Sequence, residues 1–197
     1  SPLASVDDVL KNAKNLSFGN GDPNSTSGFL VPTFYVFAKN NIDHRTAFKT
    51  VRNASHGANI QAVLAKQIDV ATNNTEDMGK LEATRPEMAS QIRILWRSPL
   101  IPSDPLVWRK DLDASVKERI RTFVLGYAKS DAAERDILKN IYNYAGFRAS
   151  NNDQLIPIRE LELARDRAKV ANDEKLSAAD KERALADIDA RLAALRK

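Results

Sequence analysis

The sequence predicts an α/β fold: a parallel or mixed sheet flanked by helices, followed by a helical C-terminal extension. Strand-like and helix-like segments alternate through the first half of the chain, which favours a sheet with helices on both faces. The composition, 43% apolar and 28% charged, is ordinary for a globular domain. From Pro157 onward the chain turns to Ala, Leu, Arg, Asp, Glu and Lys, with apolar residues at helical spacing. This second pattern predicts amphipathic helices.

The elements of the sheet region follow from caps, breakers and apolar periodicity. Ser5 and Asp43 are expected to cap helices, and Pro32 is tolerable only near a helix start. The predicted helices cover 6–14, 27–38, 44–48, 58–66 and 77–84. The predicted strands are 16–18, 49–53, 68–72, 92–96 and 106–108.

Most of the remaining chain is predicted to be helical. Helices are predicted over 115–128 and 132–142, then two amphipathic helices joined near 172–177. The resulting division is an α/β lobe with a crossing segment over 1–108, a helical layer over 109–157 and C-terminal helices over 158–197. The C-terminal helices are expected to pack on the domain or on a second copy, which would make a homodimer.

Four polar loops follow the predicted strands, at 19–27, 53–57, 73–77 and 98–104. Ligands of open α/β sheets bind outside the carboxyl ends of the strands, so these loops are expected to line one crevice. Ser25, Thr26 and Ser27 stand where a helix begins, so their hydroxyls and the first unpaired N–H groups suit an anion. The alternative is that Ser-Thr-Ser is only a helix cap.

Three further residues of these loops are candidates. His56 could donate to an anion, although a lone histidine is often structural, and His44 is a weaker candidate. Glu76 and Asp104 are carboxylates that a ligand ammonium could pair with. The alternatives are a capping role for Glu76 and an Asp-Pro turn at Asp104.

The sequence argues against several classes of function. There is no cysteine, hence no disulfide or thiolate metal site, and there is no apolar run long enough to span a bilayer. The net charge of +4 is spread among acids and bases, so nucleic acid is not an expected partner. Gly-x-Ser-x-Gly, HExxH, P-loop and dinucleotide motifs are missing, and a Ser25, His56, Asp104 triad has nothing to set its geometry.

Four stretches of the chain are distinctive: FGNGDPNSTSGFLVP at 18–32, DVATNNTE at 69–76, SPLIPSDPLVWR at 98–109 and FRAS at 147–150. Together they resemble the phosphonate-binding proteins of bacterial ABC importers. The match runs in order along nearly the whole chain and loosens after about residue 160. The resemblance implies a periplasmic receptor of two lobes that closes on an alkylphosphonate, notably 2-aminoethylphosphonate, and delivers it to a membrane ABC permease. It implies no enzyme activity and no cofactor or metal.

The resemblance also assigns residues. The Ser-Thr-Ser triplet, here Ser25, Thr26 and Ser27, is implied to hold the phosphonate oxygens together with His56. Glu76 and Asp104 are implied to hold the amino group. Family members carry an N-terminal lobe before this stretch, so the chain is expected to be a fragment, and its N-terminus shows no secretory signal. A phosphate-ester or phosphonate-processing enzyme and a helical interaction module are the alternative functions.

Overall fold

The computed structural model describes residues 2–195, which form two compact units. The sheet unit contains the chain up to Ile101 together with the residues from Leu155 onward, and the second unit contains Pro102 to Gln154. Ser1, Arg196 and Lys197, which belong to the predicted segments 1–108 and 158–197, lie outside the described residues. The predicted three-part division stays a prediction.

The sheet unit is built around three parallel strands in the order β2-β1-β3: β1 is Ser17–Asn20, β2 is Thr50–Asn53 and β3 is Val70–Ala71. Phe18 of the central strand faces Val51 on one side and Val70 on the other. All three strands end at the same edge, and the polar loops that follow them begin there.

Helices cover this sheet in the predicted places, with shifted ends. They are α1 (Val6–Asn12), α2 (His44–Ala47), α3 (His56–Leu64) and α4 (Thr75–Thr84). A further short helix, α5 (Pro86–Ala89), was not predicted. Ser5 caps α1 in a capping box with Asp8, and Asp43 caps α2, as predicted. None of the helices between residues 2 and 195 combines the length and apolar character that a membrane span needs.

The helical run over 26–40, called the site helix below, is wider than a regular α-helix. Thr26–Leu30 and Thr33–Phe37 are π-helical, and Ala38–Asn40 is a 3-10 turn. Pro32 has no N–H for the carbonyl four residues earlier, so a regular ladder cannot pass through it. Pro32 lies between the two π-helical stretches. Their wider hydrogen-bond spacing replaces the regular α-helical spacing on both sides of it.

Two predicted strands are wrong. Residues 92–109 form neither strand nor helix. Pro99, Pro102 and Pro105 supply no N–H donors, and a strand needs a neighbour to pair with. Within the described residues the sheet ends at β2 and β3, so the alternating pattern at 92–96 and the apolar run at 106–108 find no pairing partner.

Aromatic and aliphatic side chains bury the faces of the sheet. Phe18 stacks on Phe48 with ring centroids 4.6 Å apart and meets the edge of Phe37 at 5.4 Å. On the other side of the unit, Ile60 of α3 packs with Met78 and Leu81 of α4. These contacts hold the helices that carry the loops against the strands.

The C-terminal helices α8 (Ile156–Ala171) and α9 (Ala178–Leu195) pack on each other, and α8 also packs on the site helix. Leu161 of α8 is buried against Leu30 and Val31. Arg167 Nε donates to Asp189 Oδ1 at 2.8 Å between the two helices. The apolar stripe thus packs on the domain, and a homodimer through these helices stays a prediction.

Leu161→Ala is expected to lower the free energy of unfolding by about 2–4 kcal/mol, because it removes a buried side chain and leaves a cavity against the site helix. Chemical denaturation measures the change. Leu100→Ala is the matched control, since Leu100 is 102% exposed, and should change the same quantity by less than about 0.5 kcal/mol. Equal effects of the two substitutions would contradict the packing of α8 on the site helix.

The second unit holds the helices α6 (Ala114–Gly126) and α7 (Ala132–Asn140), close to the predicted 115–128 and 132–142. Asp113 and Asp131 cap them through the N–H groups of Ser115 and Ala133.

Candidate functional site

The first turn of the site helix presents unpaired donors to the crevice edge of the sheet. Ser25 is the N-cap: its Oγ accepts from the N–H of Gly28 at 3.0 Å. The N–H groups of Thr26 and Ser27 precede that bond and have no acceptor within the helix. The positive end of the helix dipole lies at the same place. Ser25 therefore acts as the cap that the sequence suggested, while the two residues after it offer donors suited to an anion.

His56 lies beside this turn as the first residue of α3, which Ser55 caps through the N–H of Ala58. The Nε2 of His56 is 3.1 Å from Ser27 Oγ, although the two residues are 29 positions apart in the chain. Its Nδ1 is buried and has no hydrogen-bond partner among the described residues. The structure thus brings together the two loops that the sequence placed at one crevice.

Gly28 and Gly21 make this close approach possible. Gly21 N–H donates to Gly28 O at 3.0 Å, which joins the β1 loop to the first helical turn. A Cβ on Gly28 would lie 2.7 Å from His56 Cε1 and 3.0 Å from Ser25 Oγ. A side chain at this position would therefore occupy the space of the imidazole ring.

The loop after β3 is the third segment that lies at this site. Thr72 Oγ1 donates to Gly28 O at 2.6 Å, and Asn73 Nδ2 donates to His56 O at 2.9 Å. Asn74 Oδ1 caps α4 by accepting from the N–H of Asp77 at 2.8 Å. Three successive residues thus bind the start of the site helix, the start of α3 and the start of α4.

The two predicted carboxylates lie in different units. Glu76 is exposed in the first turn of α4, where Thr75 Oγ1 donates to its Oε2 at 3.2 Å. The cap of α4 is Asn74, so Glu76 does not take that role. Asp104 is exposed in the extended part of the second unit. Across residues 2–195 no three His, Asp or Glu side chains are grouped as a metal site would require.

A family model described as the periplasmic phosphonate substrate-binding protein of ABC transporters matches residues 1–155 of this chain. The chain belongs to this phosphonate-binding family. Its members bind their ligands and are not enzymes. The resemblance drawn from the four sequence stretches is therefore confirmed.

Individual relatives agree with the family. The chain is 47% identical over 192 residues to the phosphonates-binding periplasmic protein of Escherichia coli K12, covering 98% of this chain and 56% of that one. It is 26% identical over 157 residues to a probable ABC transporter phosphite binding protein of Prochlorococcus marinus, covering 77% of this chain and 52% of the other. The chain thus spans about half the length of the curated relatives it matches.

Solved structures confirm the fold. A binding protein component of an ABC phosphonate transporter from Pseudomonas aeruginosa superposes with a TM-score of 0.92 at 50% identity, covering 100% of this chain and 64% of that one. A Xanthomonas citri protein bound to chloride has a TM-score of 0.59 at 21% identity, over 86% of this chain and 63% of that one, which shows the fold alone. The α/β periplasmic-binding-protein fold predicted from the sequence, a type II-like lobe flanked by helices, is confirmed. The expected mixed sheet is corrected: every strand pairing among the described residues is parallel.

Asn59, which is 0% exposed in α3, is a supporting residue that sequence reasoning missed. Its Nδ2 lies 3.0 Å from Asn20 O, 3.3 Å from Gly19 O and 3.5 Å from Thr72 O. The side chain therefore ties α3 to the ends of β1 and β3. An asparagine beside Ile60 on the apolar face of a predicted helix was the available signal.

His44, a weak candidate from the sequence, is a buried link instead of a ligand-facing residue. Asn20 Oδ1 accepts from Gly21 N–H at 3.1 Å, so Asn20 Nδ2 is the group that donates to His44 Nδ1 at 3.3 Å. His44 Nε2 then donates to Thr33 Oγ1 at 3.3 Å. The neutral ring joins the end of β1 to the site helix, and burial lowers the pKa of His44 below its ordinary value.

Proposed function

We propose that this chain forms the phosphonate-binding lobe of a receptor for an ABC importer. The contact between Ser27 Oγ and His56 Nε2 at 3.1 Å, at the open N-terminus of the site helix, is the observation that carries this proposal. Two residues that the family resemblance assigns to the same phosphonate, from distant parts of the chain, meet where helix geometry favours an anion.

The phosphonate end suits the chemistry of this turn. A phosphonate group offers three oxygens that share negative charge, and each can accept more than one hydrogen bond. Donors to it are the N–H groups of Thr26 and Ser27 and the hydroxyls of Ser25, Thr26 and Ser27. An N–H on His56 Nε2, 3.1 Å from Ser27 Oγ, can donate either to that oxygen or to the ligand. Hydrogen bonds to a charged acceptor are stronger than neutral ones.

The family resemblance assigns the amino end of the ligand to Glu76 and Asp104. Both carboxylates are exposed, and Glu76 stands on α4, whose capping loop also contacts the phosphonate turn through Thr72. A ligand with an anion at one end and an ammonium at the other, such as 2-aminoethylphosphonate, would pair with both kinds of group. The proposed setting is the periplasm, where the receptor closes on the ligand and delivers it to the membrane permease.

An NMR titration of residues 1–197 tests the phosphonate site directly. Adding 2-aminoethylphosphonate or methylphosphonate should shift the backbone amide signals of Thr26 and Ser27 most, since these N–H groups would gain a charged acceptor. Millimolar ligand concentrations make weak binding visible, and sulfate serves as the control anion. Saturable shifts confined to other parts of the chain, or none at all, would overturn the proposal.

The double substitution Glu76→Gln and Asp104→Asn tests the amino end. It keeps the side-chain shapes but removes both charges, so affinity for 2-aminoethylphosphonate should fall about tenfold or more, since hydrogen bonds to charged groups contribute about 1.5–3 kcal/mol. Methylphosphonate, which has no amino group, is the control ligand and should bind almost as before. Equal losses for both ligands, measured by the same titration, would remove the two carboxylates from the amino site.

A further inference from the structure

The carbonyl of Gly28 lacks its regular helical donor. In an α-helix it would accept from the N–H four residues later, but that residue is Pro32, which has no N–H. Two groups from outside the helix bind this carbonyl instead: the N–H of Gly21 at 3.0 Å and the hydroxyl of Thr72 at 2.6 Å. The orientation of the first helical turn therefore depends on the β1 loop and on the loop after β3.

The same β3 loop also determines where His56 stands. Asn73 Nδ2 donates to His56 O at 2.9 Å, and Asn73 Oδ1 accepts from the N–H of Asn74 at 2.9 Å, so both ends of this amide are engaged. Thr72 and Asn73 are half-buried, and neither was singled out among the ligand-binding candidates. Two adjacent side chains thus connect the two halves of the anion site, one through Gly28 and the other through His56.

We propose that Thr72 and Asn73 are positioning residues of the phosphonate site: they hold the donors of the site helix and His56 in register without touching the ligand. This inference rests on the proposed function. Without the Thr72 hydroxyl, the Gly28 carbonyl loses its contact with the loop after β3, while the N–H of Gly21 still donates to it. The first turn, with the N–H groups of Thr26 and Ser27, is then held less firmly. Without the Asn73 amide, the start of α3 loses its link to the same loop.

The expected consequence is a loss of affinity that does not depend on the amino end of the ligand. Thr72→Val keeps the shape and removes the hydroxyl, and binding of 2-aminoethylphosphonate and of methylphosphonate should weaken alike by about five- to tenfold, the equivalent of one ordinary hydrogen bond. Thr72→Ser restores the hydroxyl and should bind within about twofold of the original chain. Asn73→Ala should weaken both ligands in the same way.

Thr84→Val is the matched control. Thr84 Oγ1 also donates to a backbone carbonyl, that of Lys80 at 2.7 Å, but it stands in the last turn of α4. The Thr84→Val substitution should leave the affinity for both phosphonates unchanged. The positioning role would be overturned by any of three results. They are unchanged affinity in Thr72→Val, a loss confined to 2-aminoethylphosphonate, and equal losses in Thr72→Val and Thr72→Ser.

A measurement without ligand separates this inference from the proposed function. The amide signals of Thr26, Ser27 and Gly28 and the ring signals of His56 should move in Thr72→Val and not in Thr84→Val. If the original chain binds neither phosphonate, the proposed function fails, and these signals still decide the positioning role. Signals that stay in place in Thr72→Val would overturn it.

Discussion

Gly28→Ala is expected to weaken phosphonate binding by about tenfold to a hundredfold while the chain still folds, because one to two charge-assisted hydrogen bonds are lost. The new methyl group would lie 2.7 Å from His56 Cε1. A side-chain atom at this distance must move, and the imidazole can do so by rotating about its own bonds. His56 would then leave Ser27.

The cost to stability should be smaller than the cost to binding. The other near atoms are Ser25 Oγ at 3.0 Å and Gly21 Cα at 3.1 Å, which require shifts of only a few tenths of an ångström. Overpacking of this kind costs about 1–3 kcal/mol. Calorimetric or NMR titration gives the affinity, and thermal unfolding gives the stability.

Gly79→Ala is the control for this experiment. Gly79 lies inside α4, and a Cβ there meets nothing within 4 Å. The same substitution should raise stability by about 0.5–1 kcal/mol through helix propensity and leave phosphonate affinity unchanged. A Gly28→Ala chain that binds as tightly as the Gly79→Ala chain would show that His56 is not needed beside Ser27.

The second large expected effect is a dependence of stability on pH that comes from the protonation of His44. Burial lowers the pKa of His44, with Asp43 opposing and Arg45 adding to the shift, so the folded chain resists protonation more than the unfolded one. The unfolded chain binds the proton near its ordinary pKa of 6.5. The contribution of His44 to the free energy of unfolding should therefore be level above about pH 6.5 and fall as the pH is lowered through and below that value.

The hydrogen bonds around His44 explain why the folded chain resists its protonation. A proton on His44 Nδ1 would face the amide hydrogens of Asn20, whose Nδ2 lies 3.3 Å from that ring nitrogen, and His44 as a whole is 5% exposed. Acid should therefore loosen the link between the end of β1 and the site helix before it unfolds the chain.

His44→Phe isolates this contribution. Phenylalanine fits beside Phe29 and Phe37, whose rings lie 5.3 and 5.2 Å from the imidazole, but it leaves Asn20 and Thr33 without their partner. At pH 8 the substitution should cost about 1–3 kcal/mol for the unpaired groups. Between pH 7 and 5 the difference in stability between the two chains should shrink as the pH falls. A constant difference, measured by chemical denaturation at each pH, would contradict the neutral, buried role of His44.

Residue patterns alone determined the elements that are held by local chemistry. The caps at Ser5 and Asp43 follow from neighbours in the chain, and the apolar periodicity of the last forty residues sufficed to predict two helices. The same is true of the loop order around the crevice, because parallel strands end at one edge of a sheet. The four stretches at 18–32, 69–76, 98–109 and 147–150 together sufficed to indicate the family.

Only the tertiary structure decided which side chains meet. The strands predicted at 92–96 and 106–108 failed because strand formation needs a pairing partner, which a local pattern cannot report. Asn59, Thr72 and Asn73 look like ordinary polar residues in the sequence, and their partners lie 13 to 44 positions away. Pro32 predicts that one carbonyl of the site helix lacks a donor. That Thr72 supplies a donor depends on the fold, because it requires the loop after β3 to lie against Gly28 at hydrogen-bond distance.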